Sequence, residues 1–258
     1  GKAFSLHSSL DVNYSNLEKL INELQQYLQK YVFSIQPLDW LEQKDLAATM
    51  HWFEHSNTIA SQAVSHIYNN GWSAQGKCNC RHLPDLNGRQ LLEQFDKDNS
   101  DHFIARPQWQ QHCFETTVLS RQASQTLIQS LFQNFQNSLL TRWLARLVDL
   151  AKIPQQLGIL MKNLEMQSMH MSSSQYQNLG LAQVETARGR LIHRVEIKHG
   201  LISKYQILAP TEWNFHPQGV VAQSLAGLKT NNRKELEQLA RLIINAIDPC
   251  VGYKLRIH

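Results

Sequence analysis

The stretch that decides the fold is E-T-A-R-G-R-L-I-H-R-V-E-I-K-H-G-L-I-S-K-Y-Q-I-L-A-P-T-E-W-N-F-H-P, residues 185–217. Residues 191–197 and 203–207 alternate in character, and a period of two is typical of a β-strand. Lys198-His199-Gly200 lies between the two runs and predicts a turn, because Gly200 tolerates a positive φ. The sequence therefore predicts a β-hairpin with one face formed by Leu191, His193, Val195 and Ile197.

Polar clusters flank the predicted hairpin on both sides. Arg188-Gly189 precedes it, and Pro210-Thr211-Glu212-Trp213-Asn214 follows it. A hairpin brings its two ends together, so we expect Arg188 and Thr211 to lie close in space. A guanidinium and a hydroxyl placed in this way suit one shared acceptor. The alternative interpretation is a surface arginine and a turn hydroxyl.

An apolar stripe with helical spacing precedes the C-terminal cysteine. The stripe predicts an amphipathic helix, and its members are Leu236, Leu239, Ala240, Ile243, Ile244 and Ile247. Asn232 and Glu235 have the spacing of a capping box at its start. Pro249 ends the helix, so Cys250 is expected just past its C-terminus. Taken alone, a cysteine in this position is most often a small buried hydrophobic residue.

The rest of the chain is predicted to be mainly helical. Apolar spacing indicates helices over 17–28 and 46–67, and two or three antiparallel helices over 115–164, with Pro154 starting a new one. We expect residues 1–14 to form a tail and Ser172-Ser173-Ser174 a loop. The prediction is a single α+β domain over residues 1–258, a helix bundle with a small antiparallel sheet, whose site-bearing part is 185–258.

Composition narrows the functional classes. The 258 residues are 42% hydrophobic, enough for a sizeable core, and no run approaches the ~18 apolar residues of a membrane span. The net charge of +4 comes from scattered Lys and Arg residues, which favours a solvated surface over a nucleic-acid interface. Four irregularly spaced cysteines favour a reducing cytoplasm. We therefore expect a cytoplasmic protein that binds neither nucleic acid nor membrane.

The motifs described above resemble the C-terminal part of nickel-iron hydrogenase large subunits. The pattern E-x-x-R-G, a hairpin, then P-T-x-W-N-x-x-P carries the resemblance, together with Ile247-Asp248-Pro249-Cys250, which is similar to the start of the family's D-P-C-x-x-C-x-x-H/R metal motif. Upstream, E-T-T-V-L-S-R at 115–121 resembles the family's E-T-G-P-L-A-R segment. The resemblance is specific over residues 106–121 and 185–250.

One departure separates this chain from the catalytic subunits. Tyr253 stands where the second cysteine of the C-terminal pair would be, and the chain has no N-terminal C-x-x-C. Tyrosine cannot act as a bridging thiolate. The chain therefore resembles the non-catalytic accessory proteins of the HupK/HoxV type, which implies a reduced large-subunit fold, no complete nickel-iron centre and no enzymatic activity.

The resemblance also implies a set of site residues. Cys250 corresponds to a metal-binding cysteine of the family and is the candidate iron ligand. Arg188 and Thr211 correspond to residues that hydrogen-bond the cyanide ligands of the iron, and such donors suit an anionic acceptor. Pro210 would keep an apolar surface beside the diatomic ligands. Asp248 belongs to the same motif as Cys250.

Other candidates carry weaker signals. Cys78-Asn79-Cys80 is a C-x-C beside His82 that could bind zinc or iron, although a lone pair is not specific. Cys113 could approach the same centre as Cys250 or simply lie in the core. For Glu115 and Arg121, a structural salt bridge or a helix cap is an alternative to a role in the site.

Two functions from different classes remain open. In the first, an assembly scaffold transiently holds an Fe(CN)2(CO) unit and hands it to the hydrogenase large-subunit precursor, with the maturation proteins as further partners. In the second, a metal-free docking protein mimics the large subunit during assembly. An active hydrogenase would need four thiolates in two C-x-x-C motifs, which this chain lacks.

Overall fold

The computed structural model describes residues 13–163, 178–230 and 232–257. The predicted loop at Ser172-Ser173-Ser174 lies outside these residues, as does nearly all of the predicted tail at 1–14. In the described part the helices are α1 Tyr14–Leu28, α2 Pro37–Trp40, α3 Leu46–Glu54, α4 Ile59–Asn69, α5 Gly88–Phe95, α6 Ser100–Ala105, α7 Val118–Gln122, α8 Thr126–Phe135, α9 Leu139–Asn163, α10 Pro210–Asn214, α11 Val220–Ala226 and α12 Arg233–Ile247. A π-helical turn, Gln29–Phe33, continues α1.

The long helix α9 lies at the centre of the bundle. It packs against α1, α7, α8 and α12, and its residues Leu139, Leu140 and Leu144 are fully buried. On α12, Leu239 and Ile243 are also fully buried. The prediction of a mainly helical α+β fold is confirmed, and so is the packing of α12 on the upstream helices.

Ile243 tests the predicted core face of α12. It fills the space opposite Gly76, where an added Cβ would lie 2.0 Å from Ile243 Cδ1. Ile243→Ala is expected to lower the free energy of unfolding by about 2–5 kcal/mol, because it leaves a cavity in a packed core. Ile159→Ala, at a side chain that is 52% exposed, is the matched control and should cost less than about 1 kcal/mol. Urea unfolding of the two variants measures the difference, and equal losses would contradict the assignment.

The predicted hairpin is present within a three-stranded antiparallel sheet. Its strands are β4 Gly189–Lys198 and β5 Leu201–Leu208, and a further strand, β3 Leu179–Thr186, pairs with β4 on the other side. His199 and Gly200 have φ values of 52° and 76°, the positive values that a two-residue hairpin turn requires. The β3 strand was not predicted, because the alternation recognised in the sequence began only at Leu191.

The sheet buries the opposite face from the one formed by Leu191, His193, Val195 and Ile197. Ile192 is fully buried and Arg194 is 4% exposed. The Arg194 guanidinium is accommodated by a bond to Gln206 Oε1 and an ion pair with Asp96. An arginine that finds partners can therefore occupy a position that alternation alone would assign to solvent.

Three local predictions need correction. The predicted helix over 46–67 is two helices, because Thr58 and Ser61 form a capping box that starts α4. Pro154 does not start a helix but lies inside α9. Asn232 caps α12 as expected, but Glu235 binds Trp72 and Thr230 instead of completing a capping box.

A short parallel sheet brings the C-x-C segment beside the E-T segment. Its strands are β1 Arg81–His82 and β2 Phe114–Glu115, with His82 opposite Glu115. Leu83 N donates to Glu115 O at 2.9 Å and extends the pairing. The two segments are more than thirty residues apart in sequence, so only the fold places them together. In the described part, no helix combines the length and apolarity needed to cross a membrane.

Candidate functional site

Thr116 holds the two polar clusters that flank the hairpin. Its hydroxyl accepts a hydrogen bond from Arg190 N at 2.8 Å. The side chain of Asn214 binds both backbone polar groups of Thr116. Its Oδ1 accepts from Thr116 N at 3.0 Å, and its Nδ2 donates to Thr116 O at 2.8 Å. Gly189 has a φ of 131°, and a Cβ there would lie 2.1 Å from Thr116 O. Thr116 therefore anchors two elements, the turn that carries Arg188 and the helix α10.

Arg188 meets the end of α12. Its Nε lies 3.4 Å from Asp248 Oδ2, and its side chain is 46% exposed. Asp248 caps α12 with a φ of 61°, and its N–H donates to Ile244 O at 2.9 Å. Arg146 on α9 lies 3.8 Å from the same carboxylate oxygen. The fold thus places the 186–189 turn against Asp248, which precedes Cys250 by two positions in the sequence.

Cys250 is exposed and lies just beyond α12, as predicted. The segment that follows is held along the helix, because Tyr253 Oη donates to Asn245 Oδ1 at 3.1 Å and Arg233 donates to Ile257 O at 2.7 Å. The tyrosine that replaces the family's second cysteine is thus engaged with α12. The thiol of Cys250 stays accessible at the surface rather than packed in the core.

Thr211 has an unsatisfied hydroxyl. Its Oγ1 is buried and has no hydrogen-bond partner in the part of the chain that the structure describes. Pro210, at the first position of α10, is buried beside it. Leaving a buried hydroxyl unpaired costs about 1–3 kcal/mol, so the atom fits a ligand that offers an acceptor. Arg188 lies in the turn before β4 and Thr211 follows β5, so both lie at the same end of the antiparallel sheet. Arg188 forms its ion pair with Asp248.

Glu115 forms a buried ion pair with Arg142, which agrees with the alternative of a structural salt bridge, although the partner was not predicted. Arg142 Nε and Nη2 each donate to the Glu115 carboxylate at 3.0 Å, and both side chains are at most 1% exposed. Thr117 adds a third hydrogen bond at 2.9 Å. Burial alone would raise the pKa of Glu115, but Arg142 holds it below its ordinary value. Glu115 is therefore structural, and the E-T-T segment is anchored to α9 through it.

Arg121 also has a structural role in this arrangement. Its Nη1 donates to Thr186 O at 2.6 Å, and its Nη2 donates to Ala187 O and to Asp149 Oδ2, both at 3.0 Å. Thr117, which replaces the glycine of the resembled motif, caps α7 together with Ser120. Arg121 thereby supports the turn that presents Arg188.

Cys78 and Cys80 form a polar cluster with the buried ion pair. Asn137 Nδ2 donates to Cys78 Sγ at 3.0 Å, and Arg142 Nη2 donates to it at 3.5 Å. The hydrogen bond from the Cys80 thiol is the largest cause that lowers the pKa of Cys78 to about 6, against burial and the Glu115 charge and with help from Arg142. The same bond raises the pKa of Cys80. This lowered pKa favours the thiolate form of Cys78 at neutral pH.

The thiolate at Cys78 gives a direct prediction. In a variant with Cys113 and Cys250 replaced by serine, the rate of alkylation by iodoacetamide should rise with pH, reach half its maximum near about pH 6 and level off about one to two pH units higher, because only the thiolate reacts. Cys80→Ala removes the largest stabilising bond, so it should move the half-maximal rate to higher pH. Mass spectrometry of the alkylated peptide follows the reaction. An unshifted profile in the Cys80 variant would show that Cys80 does not stabilise the thiolate.

Cys113 lies apart from these groups, against the segment that follows α10. Its Sγ is 3.2 Å from His216 Nδ1, and burial raises its pKa. In residues 13–163, 178–230 and 232–257, no three His, Cys, Asp or Glu side chains are grouped as a metal site. The predicted ligand roles of Cys250, Cys113, Cys78 and Cys80 remain predictions.

The sequence model described as nickel-dependent hydrogenase matches residues 5–253, nearly the whole chain. The chain belongs to the nickel-dependent hydrogenase family. This assignment agrees with the motifs that meet in the structure, namely the E-T segment, the Arg188-Gly189 turn, α10 and the Asp248-Pro249-Cys250 segment.

Among curated members of the nickel-dependent hydrogenase family, the chain is similar to proteins described as hydrogenase expression/formation proteins. It is 43% identical over 81 residues to HupK of Azotobacter vinelandii, which covers 31% of this chain and 23% of that protein. It is 29% identical over 255 residues to HoxV of Cupriavidus necator, which covers 88% of this chain and 60% of that protein. The chain thus spans less than two thirds of either relative.

Catalytic members of the family match over shorter segments. The hydrogenase-2 large chain of Escherichia coli is 32% identical over 84 residues, 30% of this chain and 15% of that protein. Among solved structures, the nickel-iron-selenium hydrogenase of Desulfomicrobium baculatum superimposes with a TM-score of 0.44 at 21% identity, covering 56% of this chain and 35% of the other. The corresponding hydrogenase of Desulfovibrio vulgaris Hildenborough gives a TM-score of 0.43 at 22% identity over 60% of this chain and 38% of the other.

Proposed function

We propose that this protein is a non-catalytic assembly protein in hydrogenase maturation. Its cargo is an Fe(CN)2(CO) unit, which it holds transiently and passes to the precursor of a nickel-iron hydrogenase large subunit. The similarity to HupK and HoxV, described as hydrogenase expression/formation proteins, supports the role in maturation. The proteins that supply the iron unit and the large-subunit precursor that receives it are the expected partners.

The buried, unpartnered hydroxyl of Thr211 is the observation that carries the assignment of the cargo. A hydroxyl that is already desolvated and lacks an acceptor is suited to a hydrogen bond with an anionic ligand. The nitrogen of an iron-bound cyanide offers such an acceptor. Arg188, presented from the neighbouring turn, supplies a second donor of the required charge.

Each residue of the proposed site has a separate task. Cys250, which is exposed, would bind the iron as a thiolate, and a single protein thiolate permits release to the next protein. Asp248 orients Arg188 through their ion pair, as a neighbouring carboxylate commonly orients groups around a metal. Pro210 supplies buried apolar surface beside Thr211. The Thr116 contacts anchor the Arg188 turn and α10, the two elements that carry these donors.

The cyanide bands in the infrared spectrum test this proposal. Protein purified without oxygen after co-expression with the maturation proteins should show CN and CO stretching bands. Thr211→Val and Arg188→Lys should each shift the CN bands and leave the CO band nearly unchanged, because a hydroxyl and a planar guanidinium fork are lost only at cyanide. Thr126→Val, at an exposed threonine on α8, is the matched control and should change neither.

The same experiment separates the proposal from its alternative. A wild-type spectrum without CN and CO bands would favour a metal-free docking protein that mimics the large subunit. Bands that do not respond to Thr211→Val or Arg188→Lys would place the iron unit elsewhere on the chain. In either case the assignment of these two donors would be wrong.

A further inference from the structure

A cavity of about 350 Å³ lies between α5, α6 and the segment that follows α10. The described residues that line it do not include Cys250, Arg188 or Thr211. Positively charged or protonatable side chains converge on it from different parts of the chain, and these are Lys97, His102, Arg106 and His216. The first three lie in or beside α6, and His216 comes from the loop after α10. The tertiary fold places His216 beside the other three.

Among the described residues, the lining of the cavity contains no Asp or Glu side chain. Amide side chains complete much of its polar wall, among them Gln94, Asn99 and Gln108. A larger cleft of about 720 Å³ beside the Arg188 turn does contain carboxylates, because Asp149 and Glu185 are among its lining residues. Its Arg121 is paired with Asp149 at 3.0 Å. An excess of positive charge in a concave surface attracts anions and concentrates them there.

Within the described residues, none of the four cationic or protonatable side chains of the cavity forms an ion pair. Arg106 makes no ion pair and no side-chain hydrogen bond within the described residues. The Lys97 ammonium donates to a neutral acceptor, Gln94 Oε1, at 2.9 Å. Burial, followed by the charges of Arg106 and His102, lowers the pKa of His216, so the positive charges are close enough to disfavour one another. A bound anion would relieve that repulsion.

We propose that this cavity binds a small polyanion of the phosphate class, carrying at least two phosphate groups. The guanidinium of Arg106 matches phosphate oxygens with its planar fork, and Lys97 acts as a compact positive charge. The N–H groups of the amide side chains supply neutral donors to the remaining oxygens. The volume suits a pyrophosphate group or the phosphate end of a nucleotide. This site is independent of the proposed function at Cys250.

Isothermal titration calorimetry with inorganic pyrophosphate at low ionic strength tests the proposal. Wild-type protein should bind one equivalent saturably, and Arg106→Ala should weaken binding at least tenfold. Arg89→Ala is the matched control, because Arg89 lies on the neighbouring helix α5, is exposed and is paired with Glu93. The control should change binding by less than twofold, and thermal unfolding checks that both variants remain folded.

Two results would overturn the proposal. One is the absence of saturable binding to wild-type protein, and the other is an equal loss in the Arg89 and Arg106 variants, which would indicate a general surface-charge effect. Competition by ATP, ADP and AMP then distinguishes the source of the phosphate groups. Tighter binding of ATP or ADP than of pyrophosphate supports a nucleotide, whereas tighter binding of pyrophosphate supports an inorganic or small organic diphosphate.

Discussion

Replacing Arg142 with leucine is expected to lower the free energy of unfolding by about 3–5 kcal/mol at pH 7. The substitution leaves the Glu115 carboxylate fully buried without its counter-charge and removes both bonds of 3.0 Å to it. It also removes the donor to Gly76 O at 2.9 Å. The Glu115 anchor of the E-T-T segment would be lost as well, so the positions of Thr116 and the Arg188 turn should loosen.

The effect should depend on pH in a defined direction. In the wild-type protein the pKa of Glu115 is lower in the folded state, so its stabilisation is present above the unfolded pKa of about 4.3 and is lost as pH falls through the folded pKa. In the leucine variant, burial without Arg142 raises the folded pKa of Glu115, so acid favours the folded state. The difference in the free energy of unfolding between wild type and the leucine variant should therefore become smaller as pH falls from 7 to 4.

Urea unfolding followed by tryptophan fluorescence at the two pH values measures this difference. Arg241→Leu is the matched control, because Arg241 pairs with Glu237 on the exposed face of α12 at 2.7 Å, and it should cost less than about 1 kcal/mol. The double variant Glu115→Met/Arg142→Met should recover much of the lost stability. A loss at Arg142 no greater than at Arg241 would contradict the assigned importance of the buried pair.

Replacing Cys250 with serine is expected to abolish the CN and CO infrared bands of protein purified without oxygen. Serine is not deprotonated at neutral pH as a thiol can be, so it cannot supply the thiolate that the proposal requires. Because Cys250 is exposed, the substitution should leave the free energy of unfolding within about 0.5 kcal/mol of wild type. Hydrogenase activity in cells that depend on this protein should fall together with the bands.

Cys113→Ser is the comparison for this prediction. Cys113 is partly buried against His216. The proposal assigns no iron to Cys113, so the CN and CO bands should persist in the Cys113→Ser variant. Loss of the bands in the Cys113 variant but not in the Cys250 variant would assign the iron ligand to Cys113 instead of Cys250. Normal maturation by Cys250→Ser together with an absence of bands in wild type would favour the metal-free docking protein.

Local signals in the sequence were sufficient for the hairpin, for the core face of α12 and for the position of Cys250. Alternation, helical spacing and the ends of elements are properties of neighbouring residues, and Gly200 and Pro249 mark such ends. The resemblance to the hydrogenase large subunit came from the same short motifs. Cys250 is accordingly found just past the end of α12.

The environment of those residues could not be predicted in the same way. The sequence has no local feature that pairs Glu115 with Arg142, 27 positions away, or that directs Arg188 to Asp248. The face of β4 that is buried is also opposite to the alternating face first noted, because Arg194 finds partners in Gln206 and Asp96. Partners for buried charges come from distant segments.

The sequence by itself therefore determined the family of the protein, its main elements and the candidate residues Cys250, Arg188 and Thr211. Only the tertiary structure decided that Thr116 holds the turn and α10 together and that the Thr211 hydroxyl is buried without a partner among the described residues. It also decided that the environment of Cys78 favours its thiolate form. Long-range hydrogen bonds and the burial of polar groups depend on which segments pack together, and a local pattern that marks a buried face does not specify the segment it packs against.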